Sequence, residues 1–469
     1  MRKLYFLLII AIFVSCCNDQ KNNNIYIAQG TCGIKDKISR IENGLLPAVI
    51  IAGEKNISYS INERMQYFDV PGLNIAVIKD NTIEWAKSYG VKEKGTNDNV
   101  TLNTLFQAAS LSKPISAMIV LKFAEQGKID LKLDINKQLK TWQIPENEFT
   151  KKKAVTPELL ILHLSGLNVP AYPGYSSSDS IPNIIDILNG SNLANTEPTK
   201  VEIEPETEWR YSGAGYTVLQ LLMEEVTGKS FPLLMKEFLF NPLELENSTF
   251  AHNLLKSKQK LIAKGYKEDG SVVIGDYHIY PEKAAAGLWT TSIEYAKIII
   301  ELQKSYFGKS NKILTQKTTQ NMLTKHWRGM GLGFILRNEG DRVALAFSGG
   351  NEGYICDVYS YLHLGSGAVI MTNSNNGGAL IEEIYRSLSK EYSWPNFKPK
   401  NIKTIDVTTS TLSNYVGTYK GFTRDNEEFS FELILKNNCL YSKINNKTYK
   451  LYPIEKRWGQ VSYFTLNNF

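Results

Sequence analysis

The order of apolar patterns along the chain predicts an α+β protein, and three observations carry that prediction. "LNIAVI" and "IEWAKSY" flank "KDN", which reads as strand, tight turn and strand. Helical patterns then dominate from about 110 to 250. After them "VALAFS", "YICDVYSYLHL" and "GAVIMTNS" read as strands in close succession, followed by a helix at "GALIEEIYRSLSKEY". Strands come first, helices in the middle, then strands again and a closing helix. Without regular strand–helix–strand alternation, the sheet is expected to be antiparallel, in a main domain over 45–395.

Other elements follow from composition. "GYTVLQLLMEEVTG" is an apolar helix closed by Gly228. "SWPNFKPKNIKTIDVTT" reads as a linker. Beyond it "SNYVGTYKG", "EFSFELILKNNCLYSKI", "KTYKLYPI" and "QVSYFTL" are short, aromatic-rich, alternating strands, a separate small β domain over 405–469. At the other end "MRK" precedes the apolar run "LYFLLIIAIFV", of signal-peptide length and too short to span a membrane comfortably. It stops at "SCC". A small residue before a cysteine resembles a bacterial lipoprotein signal over 1–16, with Cys16 the lipidated residue and Cys17 the other candidate. A plain signal peptide or an uncleaved anchor stays open. Residues 17–44, polar and Asn/Lys-rich at first, are expected to be a tether, placing the protein in the bacterial cell envelope on an N-terminal lipid anchor.

The chain has 469 residues, is 43% hydrophobic and carries a net charge of +6. That charge is weak for the length and no Lys/Arg stripe is present, which argues against nucleic acid as a partner. Cys32, Cys356 and Cys439 are far apart and match no zinc spacing, so neither a metal nor a cofactor is expected.

Ser-x-x-Lys occurs at Ser110, Ser257 and Ser387. Ser257 lies in the lysine-rich "LLKSKQKLIAKG", where its lysine is one of several solvated charges. Ser387 lies near a helix C-terminus, whose dipole opposes an alkoxide. Ser110 opens the long apolar helix of "AASLSKPISAMIVLKFAEQG", with Pro114 early in it, where proline is tolerated. There the serine oxygen stands near free backbone N–H groups. Lys113 is about one turn on and shares its face. A buried ammonium beside a serine can release its proton at unusually low pH and then activate the hydroxyl. An N-capping serine beside an ordinary lysine is the alternative. Tyr211, just before the "GYTVLQLL" helix, could relay the proton. Ser348, Gly349 and Gly350 end a strand, and glycines there let substrate approach the backbone. One strand N–H together with that of Ser110 would make an oxyanion hole.

These segments together resemble the serine β-lactamase and penicillin-binding-protein family, nearest its class C β-lactamase, DD-peptidase and esterase branch. "FQAASLSKPISAMIVLKFAEQGKIDLKLDI", "VTPELLILHLSGL", "EWRYSGAGYTVLQLLMEEVTGKSF", "AAAGLWTTSIEYAKII", "GLGFIL" and "FSGGNEGY" match its motifs in order, from about 45 to 395. The C-terminal module resembles the lipocalin-like domain often appended to such proteins, though it is short for a closed barrel. The resemblance implies a β-lactamase/transpeptidase-like fold in which Ser110 is acylated, Lys113 is its proton partner and Tyr211 a second acid/base. It also implies that the N–H groups of Ser110 and Gly350 hold the oxyanion, with Ser348 and Gly349 beside the substrate.

Two positions depart from the family. Its tyrosine motif commonly reads Tyr-x-Asn; here it is Tyr211-Ser212-Gly213, so the amide that helps bind a substrate amide is gone. Its strand motif usually starts with Lys or His; here Phe347 stands there, without charge or donor. The missing charge at Phe347 weighs against penicillins and D-Ala-D-Ala peptides, which carry a carboxylate. It leaves small-molecule or peptide substrates that are esters or amides without one. The alternative is an impaired protein that binds peptidoglycan fragments or a protein partner. His163 in "LLILHLSGL" reads as a satisfied core histidine. No Gly-x-Ser-x-Gly elbow, phosphate loop or His-Glu-x-x-His is present.

Overall fold

The computed structural model describes residues 24–29, 33–54, 57–251, 258–339, 342–422, 428–444, 447–457 and 460–465. Its strands are β1 (Ile25–Ile27), β2 (Val49–Ile51), β3 (Gly72–Lys79), β4 (Thr82–Gly90), β5 (Phe106–Gln107), β6 (Trp289–Thr290), β7 (Ile335–Glu339), β8 (Arg342–Asn351), β9 (Tyr354–Tyr361) and β10 (Ser366–Thr372). A seven-stranded sheet runs β1-β4-β3-β10-β9-β8-β7, every neighbouring pair antiparallel. The β3–β4 hairpin turns through Asp80 (φ 51°) and Asn81 (φ 57°), both left-handed. Such a turn matches strand twist and favours Asn and Asp, which is what "KDN" supplies.

Alternation along the strands makes the sheet a middle layer. Leu73, Ile75 and Val77 of β3 and Ala368 and Ile370 of β10 face one core, closed by the helices Ile34–Glu42 and Gly377–Tyr392. Ala76, Ile78, Val369 and Met371 face the larger core, with the helices Ser112–Glu125, Pro157–Leu162, Gly213–Thr227 and Ser292–Tyr306. The Ser112–Glu125 helix is buried on nearly every face, which suits a helix packed at the centre of a domain.

The tether expectation over 17–44 is corrected from Asn24 onward. β1 pairs with β4 at the sheet edge, with Ile25 opposite Lys87 and Ile27 opposite Trp85. The following helix buries Ile34, Ile38 and Ile41. Their spacing is one helical face, and it outweighs the polar composition around them. Residues 1–23, with Cys16 and Cys17, and also Cys32 and Ser257, lie outside the described residues. Among the described residues no helix is long and apolar enough to cross a membrane.

Within the linker, β11 (Lys400–Ile402) runs parallel to β2. Past a short helix at Thr409–Ser413, the C-terminal module is an antiparallel meander of β12 (Gly417–Phe422), β13 (Glu428–Lys436), β14 (Cys439–Ile444), β15 (Lys447–Arg457) and β16 (Gln460–Thr465). It meets the main domain at a small apolar contact of Tyr452 with Val49 and Ile51, and at a Lys450–Glu54 ion pair.

Candidate active site

The segment between β5 and the buried helix is a turn of 3-10 helix, Ala109–Leu111, entered through Ala109 at φ 49°. A left-handed alanine is sparsely populated and persists only where its surroundings hold it. Those surroundings are Ser112, whose Oγ donates to the Ala109 carbonyl at 2.6 Å and accepts the Leu288 N–H at 3.0 Å, and Ala108, whose N–H donates to the Leu288 carbonyl. Ser110 therefore sits in the turn before the helix. The N-cap position is Leu111 and no side chain caps the helix end, which removes the capping-serine alternative.

Ser110 Oγ is instead met by two side chains. Lys113 Nζ donates to it at 3.0 Å and Tyr211 OH at 2.9 Å. Lys113 is 2% exposed and gives a second hydrogen bond, 2.8 Å, to the Ala285 carbonyl. Its ammonium also lies 4.9 Å from the Tyr211 ring centroid. Tyr211 is carried to the serine by the start of the Gly213–Thr227 helix, which Ser212 caps through Gly215 N–H. The three residues read from the sequence, Ser110 and Lys113 a turn apart and Tyr211 about a hundred residues on, meet at one oxygen.

The glycine strand divides. Gly349 faces the turn that carries Ser110: a Cβ there would stand 2.3 Å from the Ala108 carbonyl oxygen and 3.0 Å from Ser110 N. Gly350 is exposed, and a Cβ on it would meet only Ile355 Cδ1, at 3.2 Å. The Ser348 side chain is not brought to Ser110. Its hydroxyl donates to Asp357 on β9, a carboxyl that burial pushes up to about 6. Phe347 is 4% exposed and packed in the larger core, so the position where the family resemblance expects a cation or donor is apolar.

Three features escaped the sequence reading. Tyr172, from the loop before the Ile184–Asn189 helix, fills the space beside Gly213, where a Cβ would lie 2.9 Å from its ring; its hydroxyl bonds Thr217 at 2.8 Å. Glu282, which precedes the Lys113-binding turn Lys283–Ala286, is 0% exposed, and neither carboxyl oxygen has a hydrogen-bond partner among the described residues. Burial pushes its pKa up to about 7. His163 is in the core as expected, but only its Nδ1 is engaged, accepting the Ser212 N–H at 3.1 Å; Nε2 has no partner among the described residues. The apolar run of "LLILHLSGL" gave no signal that this ring lies against Tyr211, 4.4 Å between centroids. Among the described residues no His/Cys/Asp/Glu cluster could hold a metal ion.

A serine at the head of the central helix, set against the last strands of an antiparallel sheet, is the plan of the β-lactamase/transpeptidase-like fold, a fold of serine hydrolases. The chain belongs to the Beta-lactamase family, whose model matches residues 60–389. It is 25% identical to Protein flp of Staphylococcus aureus over 52% of this chain and 46% of that protein, so it spans about half the length of that relative. It is 25% identical to the teichoic acid D-alanine hydrolase of the same organism, over 71% of this chain and 77% of the relative. In structure it is similar to the octameric penicillin-binding protein homologue from Pyrococcus abyssi, with a TM-score of 0.63 at 20% identity, covering 86% of this chain and 93% of the other.

Proposed function

We propose that this protein is a cell-envelope serine hydrolase that cleaves small acyl esters or amides lacking a carboxylate, D-alanyl esters foremost, through an acyl-enzyme on Ser110. The observation that carries the reading is the pair of hydrogen bonds on Ser110 Oγ, from Lys113 at 3.0 Å and Tyr211 at 2.9 Å. In the first half-reaction, starting from a Lys113–Tyr211 pair that has already given up one proton, Ser110 Oγ adds to the substrate carbonyl while its own proton passes to that pair. The oxyanion is received by the N–H groups of Ser110 and Gly350. Collapse expels the alcohol or amine, which takes the proton back, and leaves the acyl group on Ser110. Water then repeats the sequence and frees the acid.

Substrate class follows from charge. With Phe347 buried, that position offers no cation to a substrate carboxylate. A D-alanyl ester carries an ammonium and no carboxylate, and a curated relative is a teichoic acid D-alanine hydrolase. An envelope location agrees with that relative, and the lipid anchor on Cys16 or Cys17 remains a proposal from the N-terminal sequence.

The test is intact mass after a fluorophosphonate probe, with turnover of a p-nitrophenyl D-alanyl ester and of a chromogenic cephalosporin. One adduct on the wild type, none on Ser110→Ala, and ester turnover well above cephalosporin turnover are expected. Y211F should lose about 100-fold or more in ester kcat. Strong cephalosporin hydrolysis would overturn the substrate class. No adduct on either protein would move the reading to a binding protein for peptidoglycan fragments or a protein partner.

A further inference from the structure

Outside the Ser110–Lys113–Tyr211 group, His163 meets the Tyr211 ring and bonds the residues on both sides of it. His163 ends the Pro157–Leu162 helix in the left-handed conformation, φ 60°. Its backbone carbonyl accepts the Arg210 N–H at 2.9 Å, and its ring Nδ1 accepts the Ser212 N–H at 3.1 Å. Those are the residues on either side of Tyr211. Between the two bonds the imidazole lies along the Tyr211 phenol, with centroids 4.4 Å apart and planes tilted by 36°. Trp209 at 5.8 Å and Tyr216 at 5.5 Å enclose the same ring, leaving His163 1% exposed.

We propose that His163 is a positioning residue for Tyr211, fixing the backbone on both sides of the tyrosine and the plane of its ring so that the hydroxyl stands on Ser110 Oγ. The left-handed turn belongs to this arrangement, because it brings the carbonyl and the side chain of one residue to N–H groups two apart in the facing segment. The bond to Nδ1 puts the ring proton on Nε2. Protonating Nδ1 would evict the Ser212 N–H. That event is kept far from neutrality: burial first, and the Lys113 charge second, push the imidazole down to about 3. The titratable groups facing the ring are Lys113 from the nucleophile helix, Tyr211 itself and Tyr216 from the Gly213–Thr227 helix. The clamp is thus set in one state across the working pH range. Loosening the clamp would change where Tyr211 points, and therefore kcat more than KM.

The proposal rests on the acyl-enzyme reading for its kinetic readout, so the experiment carries a second readout independent of turnover. His163→Ala, His163→Asn and His163→Phe are compared for kcat and KM on the D-alanyl ester, each normalised to the fraction of protein labelled by fluorophosphonate. In parallel the 13Cζ-tyrosine spectrum is recorded, with the Tyr211 signal assigned by its absence in Y211F. Asn places Oδ1 where Nδ1 stands and tolerates the left-handed conformation; Phe keeps a ring but offers no acceptor. H163A and H163F should lose about 100-fold in kcat with little change in KM, as for a catalytic group displaced by about 1 Å. H163N should recover most of that loss, and the Tyr211 signal should move in H163A and return in H163N. If H163A does not fold, the contrast between H163N and H163F decides in the same direction. Equal kcat per labelled serine in all variants, or H163N no better than H163F, would overturn the proposal. A wild type that neither labels nor turns over would refute the acyl-enzyme reading instead; the clamp then stands or falls on the Tyr211 signal, and an unmoved signal in H163A refutes it.

Discussion

Gly213 and Tyr172 share one volume. The absence of a side chain at 213 is legible in the sequence, because the tyrosine motif shows what the family places there. What fills the gap is not, because the filler arrives from another loop. Restoring the amide with Gly213→Asn should by itself displace the ring, whose Cε2 would lie 2.9 Å from the new Cβ, and break its bond to Thr217. The single variant should melt lower than wild type. G213N with Tyr172→Ala should recover, and a double-mutant cycle on Tm and kcat should show coupling of about 1 kcal/mol or more. Additivity would mean that the two residues do not compete.

Glu282 and His163 set opposite pH slopes. A carboxyl at about 7 in the fold against an ordinary 4.5 keeps its proton in the native state, so its contribution to stability falls as pH rises through that interval. An imidazole at about 3 against 6.5 is protonated first in the unfolded chain, so its contribution falls as pH drops through that interval. The two oppose between about pH 4.5 and 6.5. In Glu282→Gln, which keeps the uncharged shape, the urea midpoint should rise more steeply with pH over that overlap and stop declining toward pH 7. The same profile in both proteins would mean that the carboxyl ionises freely in the fold. Nothing in "YPEKAAAG" marks Glu282 as buried.

At the scale of elements, strand β8 is fitted to the Ser110 turn through one glycine. The resemblance assigned the oxyanion N–H to Gly350 and a place beside the substrate to Gly349, and the pleat separates them further: a Cβ on Gly349 would point at Ala108 and Ser110, while one on Gly350 would not. Gly349→Ala should push strand and turn apart and slow both labelling and turnover by about tenfold or more. Gly350→Ala, whose nearest neighbour is the flexible end of Ile355, should leave both near wild type. The reverse result would exchange the roles of the two positions. The β3–β4 hairpin, the strands of the second half and the Gly228 stop were legible because period and turn chemistry agree there. The Ile34–Glu42 helix was not: three isoleucines at helical spacing were masked by the polar residues between them. Ser387, set aside for its place near a helix end, in fact gives its hydroxyl to the Ile41 carbonyl of that same helix.

For the whole molecule, the small contact between the C-terminal module and the main domain predicts independence. A chain ending at Thr404 keeps β11 on β2 and loses the Tyr452 contact with Val49 and Ile51. It should label at Ser110 at the wild-type rate, with Tm lowered by only a few degrees. Loss of labelling would show that the module supports the catalytic domain. The main sheet and the separate C-terminal sheet were legible from the change in strand composition. The packing between them was not, because it depends on β2, a three-residue strand too short to give a period.

The sheet order also sets an order of events in time. At its centre β3 lies beside β10, and the whole helical region is encoded between them. As the chain emerges, the β3–β4 hairpin is made early, yet one edge of β3 has no neighbour until Ser366–Thr372 has appeared. Loop-closure entropy is spent over nearly the full domain before that pairing returns anything. The turn that carries Ser110, wedged between the helical region and β8, is thus completed only after β8 and β10 have emerged, and a chain interrupted earlier presents an open β edge.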